Sequence, residues 1–225
     1  YGDLKLGVDL LRRSISCFDD PEAHRCLKLI VGELQELSPS WKPTIFGKSR
    51  LNAQTDKLTV CHLHKVAYPF ENSGGAIRNL NLVASQKKAG IDPYIVLPLN
   101  YPPKELDKKI DSPIITEEVE HFLLKVKGKI SEPNDVSRDC LLELDALRTA
   151  AIIKIRGAKI IHAASGFRGY ELALKGLALR EHLGIPLIYE VRSFHEHTWG
   201  PYMPNILDLK LTQQRTHQEN RCMQE

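Results

Sequence analysis

The sequence predicts an α/β protein: a doubly wound, mostly parallel sheet with helices on both faces, preceded by a helical extension and linker over residues 1–55. Three observations carry this expectation. From residue 57 onward, short β-rich runs alternate with helical stretches, the order that calls for parallel strands joined by crossover helices. The runs "KIIHAA" and "PLIYEV" are short and almost continuously apolar, as strands covered on both faces must be. Residues 1–38, by contrast, keep a helical spacing of apolar residues.

The elements follow in order. "LKLGVDLLRRSISCF" places Leu6, Leu10, Leu11, Ile15 and Phe18 on one helical face. "DDPEAHRCLKLIVGELQEL" opens with an Asp cap and Pro21 in the first turn, then repeats Cys26, Leu29, Ile30, Leu34 and Leu37. "SPSWKPTIFGKSRLNAQTDK" is rich in Pro, Ser and Gly and reads as a linker. "KLTVCHLH" is the first strand, and a helix from Gly75 to about Lys88 closes at Gly90. "PYIVLPL" is a second strand, followed by a proline-marked loop. "EEVEHFLLKVKG" alternates as an edge strand does. "SRDCLLELDALRTAAIIKI" is a helix with a Ser cap. "KIIHAAS" is a strand, "FRGYELALKGLALREHLG" a helix ending at Gly184, and "PLIYEVRSF" a further strand. Residues 205–225 are polar and again helical. No internal repeat of solenoid period occurs.

Composition narrows the function. The 225 residues suffice for one core, or one domain with an appendage. A net charge of +3, with basic residues interspersed among acidic ones, excludes a phosphate-tracking stripe, so no nucleic-acid partner is expected. No apolar run approaches the ~18 residues that a membrane span needs. Cys17, Cys26, Cys61, Cys140 and Cys222 are scattered and include no C-x-x-C. They read as reduced thiols of a cytoplasmic protein, not as a disulfide frame.

In doubly wound sheets, ligands sit beyond the carboxyl ends of the strands. Three such ends carry unusual residues: "CHLHKVAYPFENSGGAIR", "KIIHAASGFRG" and "IYEVRSFHEHTWG". Parallel strands bring all three to one rim. Ser73-Gly74-Gly75 opens a helix, where free amides and the helix dipole favour an anion; a flexible turn would use the same residues. It matches neither G-x-G-x-x-G nor a P-loop. His162 lies within an apolar run, as either a core histidine or a site residue. Ser165, followed by Gly166, is either an N-cap or a site residue. Glu190 and Arg192 are two apart, so on a strand they point the same way. An unpartnered glutamate in an apolar strand is costly, so the two either pair with each other or serve a ligand. A metal reading pairs His62-x-His64 with His195-x-His197 and Glu196, but no H-E-x-x-H or cysteine pair supports it and no metal is expected. A Cys61–His nucleophile is weaker still, because Cys61 lies mid-strand.

"SGGAIRNLNLVASQKKAGIDPYIVLPLNYP", "KIIHAASGFRGYELALKGLALREHLGIPLIYEVRSFHEHTWG" and "QQRTHQENRCMQE" together resemble the N-terminal half of family 4 retaining glycosyltransferases of the GT-B type. The resemblance spans roughly residues 57–225. It implies a Rossmann-like domain over 56–225 that mainly holds the acceptor and faces a donor-holding domain across a cleft. Carried over, the loop that approaches the donor diphosphate is Gly74 and Gly75. The strand-end residues are His162 and Ser165, and the "Y-E-V-R" segment supplies Glu190 and Arg192, with Glu196 just beyond. A second histidine, frequent in the family two residues after the first, is Ala164 here.

The resemblance implies the acceptor-side half of an enzyme that transfers a hexose-type sugar to a hydroxyl with retention, inactive without its donor-side C-terminal domain. Its co-substrate is a nucleoside-diphosphate sugar and its acceptor a glycan or small molecule, with no cofactor and no protein nucleophile. The alternative is a non-catalytic glycan- or protein-binding module that docks a protein partner, or a membrane surface, through the N-terminal helices.

Overall fold

A computed structural model describes residues 3–47, 49, 56–99, 101, 113–124, 136–165, 169–194, 197–198, 202–203 and 205–225. The described elements are α1 (Leu4–Cys17), α2 (Pro21–Glu36), β1 (Thr59–Leu63), α3 (Gly74–Lys88), β2 (Asp92–Leu97), β3 (Ile114–Thr116), β4 (Val119–Leu123), α4 (Arg138–Arg156), β5 (Ile160–Ala164), α5 (Glu171–Leu183), β6 (Leu187–Glu190) and α6 (Lys210–Gln224). The strands form one sheet of order β3-β4-β2-β1-β5-β6. Every pairing is parallel except β3 with β4. The expected Rossmann-like, doubly wound α/β fold is the observed one.

Alternation along the strands divides the core. Cys61, Leu63, Tyr94, Val96, Ile161 and Ala163 face α4 and α5, where Ala150, Ile153, Leu172, Leu179 and Leu183 meet them. Ile95, Leu97, Val119 and Leu123 pack on the other face with Val83 of α3. On that second face β1 presents His62 and His64, both buried, where a two-sided sheet ordinarily presents aliphatic residues.

The strand expected from Glu117 begins at Val119, and Glu117 and Glu118 form the turn of a hairpin. Ile114–Thr116 turns back on Val119–His121 through Glu117 and Glu118, both at positive φ (50° and 58°). Such a turn usually draws Gly or Asn, so two glutamates carry no turn signal in sequence. The outer strand of the pair is β3, and β4 lies one place in from the edge.

The N-terminal helices pack on this core. In α1 the inward positions are Leu4, Gly7, Val8, Leu11 and Ile15; Leu6, Leu10 and Phe18 of the expected apolar face are exposed. Helix α2 lies against α4 so closely that a Cβ on Gly32 would stand 2.5 Å from the Ser137 Cβ. The Arg138 guanidinium joins Glu36 of α2 to Glu171 of α5 at 3.1 and 2.6 Å. The expected linker is held down in part: Trp41 is buried with Leu37, Tyr170, Leu174 and Cys222, and the Ser49 amide donates to the His182 carbonyl at 2.9 Å.

Candidate functional site

The chain runs from β1 outward through β2 to β4, then returns to β5 beside β1 and on to β6. The crevice at that reversal, beyond the strand ends, is where doubly wound sheets bind ligands. The loop to α3 leaves the end of β1, Ser165 follows β5, and Arg192 follows β6. The three segments singled out in sequence therefore share one rim.

At the start of α3, the Ser73 hydroxyl accepts from the Ala76 amide at 3.3 Å and caps the helix. A Cβ on Gly74 would meet no atom within 4 Å, and one on Gly75 would make only ordinary contact with Val66 at 3.7 Å. Neither glycine has a positive φ among the described residues. No described residue thus requires glycine at 74; among the described residues the bare backbone faces open space at a helix N-terminus.

Glu190, at the end of β6, is clamped. Its carboxylate accepts from Arg192 at 2.8 Å and from Arg78 of α3 at 2.6 Å. Arg192 also donates to the Asn79 side-chain carbonyl, and Asn79 in turn donates to the Val66 carbonyl at 2.7 Å. Burial pushes the Glu190 carboxyl up, but the Arg192 hydrogen bond and charge, with Arg78, outweigh it and hold it below the usual range. Glu190 is therefore an anion at neutral pH. The Arg192 Nε, buried, has no hydrogen-bond partner among the described residues.

Ser165 is not the cap of the following helix, which begins at Glu171. Its hydroxyl accepts from the Arg192 amide at 2.9 Å, and its own amide donates to the Glu190 carbonyl at 2.9 Å. It fastens the exit of β5 to the exit of β6. His162 is half-buried. Its Nε2 lies 3.5 Å from the Glu190 carboxylate and its Nδ1 3.0 Å from the His62 Nδ1. Burial lowers the His162 pKa, partly offset by Glu190.

The sequence-based metal pairing falls in part outside the described residues. His195 and Glu196 lie outside the described residues, as does Gly166, and His197 is exposed with its ring against Phe194. His62 and His64 meet His162 instead, and the possible ligand nitrogens of the three lie within 4.8 Å of one another. Cys61 points to the opposite face, where burial pushes its thiol up to about 12, which rules it out as a thiolate nucleophile.

Sequence reasoning did not single out Arg78, Asn79 or Gln86. Arg78 and Asn79 stand in the quoted "SGGAIRN", one helical turn past the glycines, and that spacing was the available signal. A separate hollow of about 360 Å³ lies between residues 42–47 and the C-terminal turn of α5. Helices here run antiparallel to strands, so this hollow sits at the opposite edge of the sheet, away from the clamp.

No protein-family model matches the chain, and no curated protein matches it. Two solved structures resemble it in shape. One is a sucrose-phosphate synthase from Thermosynechococcus elongatus, at 13% identity and TM-score 0.46, matching 66% of this chain and 36% of that one. The other is a glycosyltransferase from Rickettsia africae, at 20% identity and TM-score 0.36, matching 68% of this chain and 35% of that one. The chain spans about a third of the length of each.

Proposed function

We propose that the chain is the acceptor-side half of a retaining glycosyltransferase that moves a hexose-type sugar from a nucleoside diphosphate to a hydroxyl. The observation that carries this reading is the juxtaposition, on one rim at the reversal point of the sheet, of a solvent-facing helix N-terminus and the Arg78–Glu190–Arg192 cluster. The residue resemblance at the same segments supports it. As the glycosidic bond breaks, charge grows on a phosphate oxygen. The amides at Gly74 and Gly75 favour that charge by ~0.3–1 kcal/mol per exposed contact, and up to ~2 when partly buried. Arg78, on the same helix and half-exposed, adds a cation beside it. Glu190, kept ionised, is an acceptor for sugar or acceptor hydroxyls.

On this reading the rim is one wall of a cleft, and a donor-holding domain supplies the other wall. The test is a transfer assay with UDP- and GDP-hexoses in two arms: residues 1–225 alone, and the chain extended through the coding sequence beyond residue 225. Transfer with retained anomeric configuration only in the longer protein is expected. Turnover by residues 1–225 alone, or inversion, contradicts the reading. Absence of transfer in both arms favours the binding-module alternative, for which the exposed Leu6 and Leu10 of α1, with Phe18 just after it, are the specific observation.

A further inference from the structure

On the α3 face of the sheet, three histidines converge where β1 meets β5. His62 and His162 are paired in register on adjacent parallel strands, and His64 follows His62 by two residues, hence on the same face. Ring centroids are 4.8 Å apart for His62 and His162, 5.2 Å for His62 and His64, and 6.3 Å for His64 and His162. We propose that His62, His64 and His162 form a tris-imidazole site for a divalent metal ion of the zinc type, held at the reversal point of the sheet. This inference does not depend on the transferase reading.

Two features of the geometry point to a metal. The first is the outer arrangement. His62 Nε2 lies 2.7 Å from the Gln86 side-chain oxygen, and His162 Nε2 lies 3.5 Å from the Glu190 carboxylate. Partners of this kind, a carbonyl and a carboxylate, orient metal-bound histidines by accepting the N–H remote from the metal. With both Nε2 atoms protonated in neutral rings, the two Nδ1 atoms are bare lone pairs, and they face each other at 3.0 Å. In that tautomer the facing lone pairs repel unless a cation lies between them; with His162 protonated at Nδ1 the same contact is a hydrogen bond to His62. Two nitrogens bound to one tetrahedral zinc at about 2.0–2.1 Å stand roughly 3.3 Å apart, close to what is observed.

The second feature is His64. It is fully buried, and neither ring nitrogen has a hydrogen-bond partner. A simple hydrogen-bond chain, His162 Nδ1–H to His62 Nδ1 and His62 Nε2–H to the Gln86 oxygen, accounts for two rings and leaves His64 stranded. A buried polar group without a partner is destabilising, and natural proteins rarely keep one. A metal bound by all three rings satisfies one of the two His64 nitrogens. Imidazole donors suit zinc, cobalt, nickel or copper and disfavour magnesium or calcium.

The experiment uses untagged protein, stripped with chelator, loaded with Zn²⁺ or Co²⁺, then freed of excess metal by gel filtration. One metal per chain is expected by elemental analysis, with visible d–d bands of four- or five-coordinate cobalt. His162→Ala is expected to abolish retention, Gln86→Ala to weaken affinity about 10–100-fold, and His197→Ala to change nothing. Circular dichroism reports whether each variant folds. If His162→Ala does not fold, the wild-type stoichiometry and cobalt spectrum decide alone. Folded wild-type protein that retains no metal overturns the proposal. So does retention that His162→Ala leaves intact, which would assign the metal to surface histidines.

Discussion

Arg78 on α3 and Glu190 at the end of β6 lie 112 residues apart in sequence, and their side chains meet at 2.6 Å. That contact ties the first helix after β1 to the last strand of the sheet across the mouth of the crevice. Arg192 holds the same carboxylate from the other side, so one anion stands between two cations on the rim. The pairing leaves Glu190 ionised.

The two arginines should separate function from stability. Arg78 is half-exposed, so Arg78→Ala should cost less than about 1 kcal/mol in urea unfolding while sharply lowering transfer by the complete enzyme. Arg192 is largely buried on Asn79 and Glu190, so Arg192→Ala should cost about 2–3 kcal/mol. Equal stability losses for the two variants would contradict this assignment.

Glycine substitutions should behave oppositely at two sites. Gly74→Ala adds a Cβ in open space within a helix and should stabilise the fold slightly, by about 0.5–1 kcal/mol. Gly32→Ala drives a Cβ into Ser137, Asp139 and the Arg138 amide, and should destabilise by about 1–3 kcal/mol as α2 is pushed from α4. Thermal melts of both variants check this; a neutral Gly32→Ala would mean that α2 is not docked as described.

Lys175 and Asp145 form a buried ion pair at 2.9 Å, with Thr149 and the Leu99 amide also donating to the carboxylate. Lys175→Met should cost about 3–5 kcal/mol because it strands a buried charge. The double substitution Lys175→Met with Asp145→Leu should cost less than Lys175→Met alone. Additive losses in denaturant titrations would refute the coupling.

Stability should fall on mild acidification in the presence of chelator. Burial holds folded His62 at about 4, against 6.5 for the exposed ring. Between those values the unfolded chain binds more protons, so stability present above pH 6.5 is lost as pH falls toward 4. His62 alone contributes on the order of 3 kcal/mol across that window. His64 and His121 are shifted in the same direction, first by burial. Urea midpoints that stay flat across the window would count against neutral, buried rings.

Much of this architecture was legible in sequence because burial wrote it there. The parallel strands read as apolar runs, and Gly90 and Gly184, both at positive φ, marked the ends of α3 and α5. The hairpin at Glu117–Glu118 was invisible because glutamates are not turn residues. The inward face of α1 was misjudged because Val8 and Gly7, not Leu6 and Leu10, meet α2. At the rim, Glu190 and Arg192 were found through the cost of a charge in an apolar strand. Their third partner, Arg78, belongs to a distant helix, and no local pattern announces a contact across 112 residues. The histidine cluster stayed hidden for a related reason: His62 and His162 become neighbours only through the register of two strands far apart in the chain.

The most direct test of the central claim is a titration of isotope-labelled residues 1–225 with UDP- and GDP-hexoses, followed by amide chemical shifts. Weak binding with shifts confined to Gly74, Gly75, Arg78, Ser165 and the Glu190–Arg192 segment is expected. Shifts centred on Lys42, Ala178 and His182 at the opposite edge, or none with any nucleotide sugar, would contradict it.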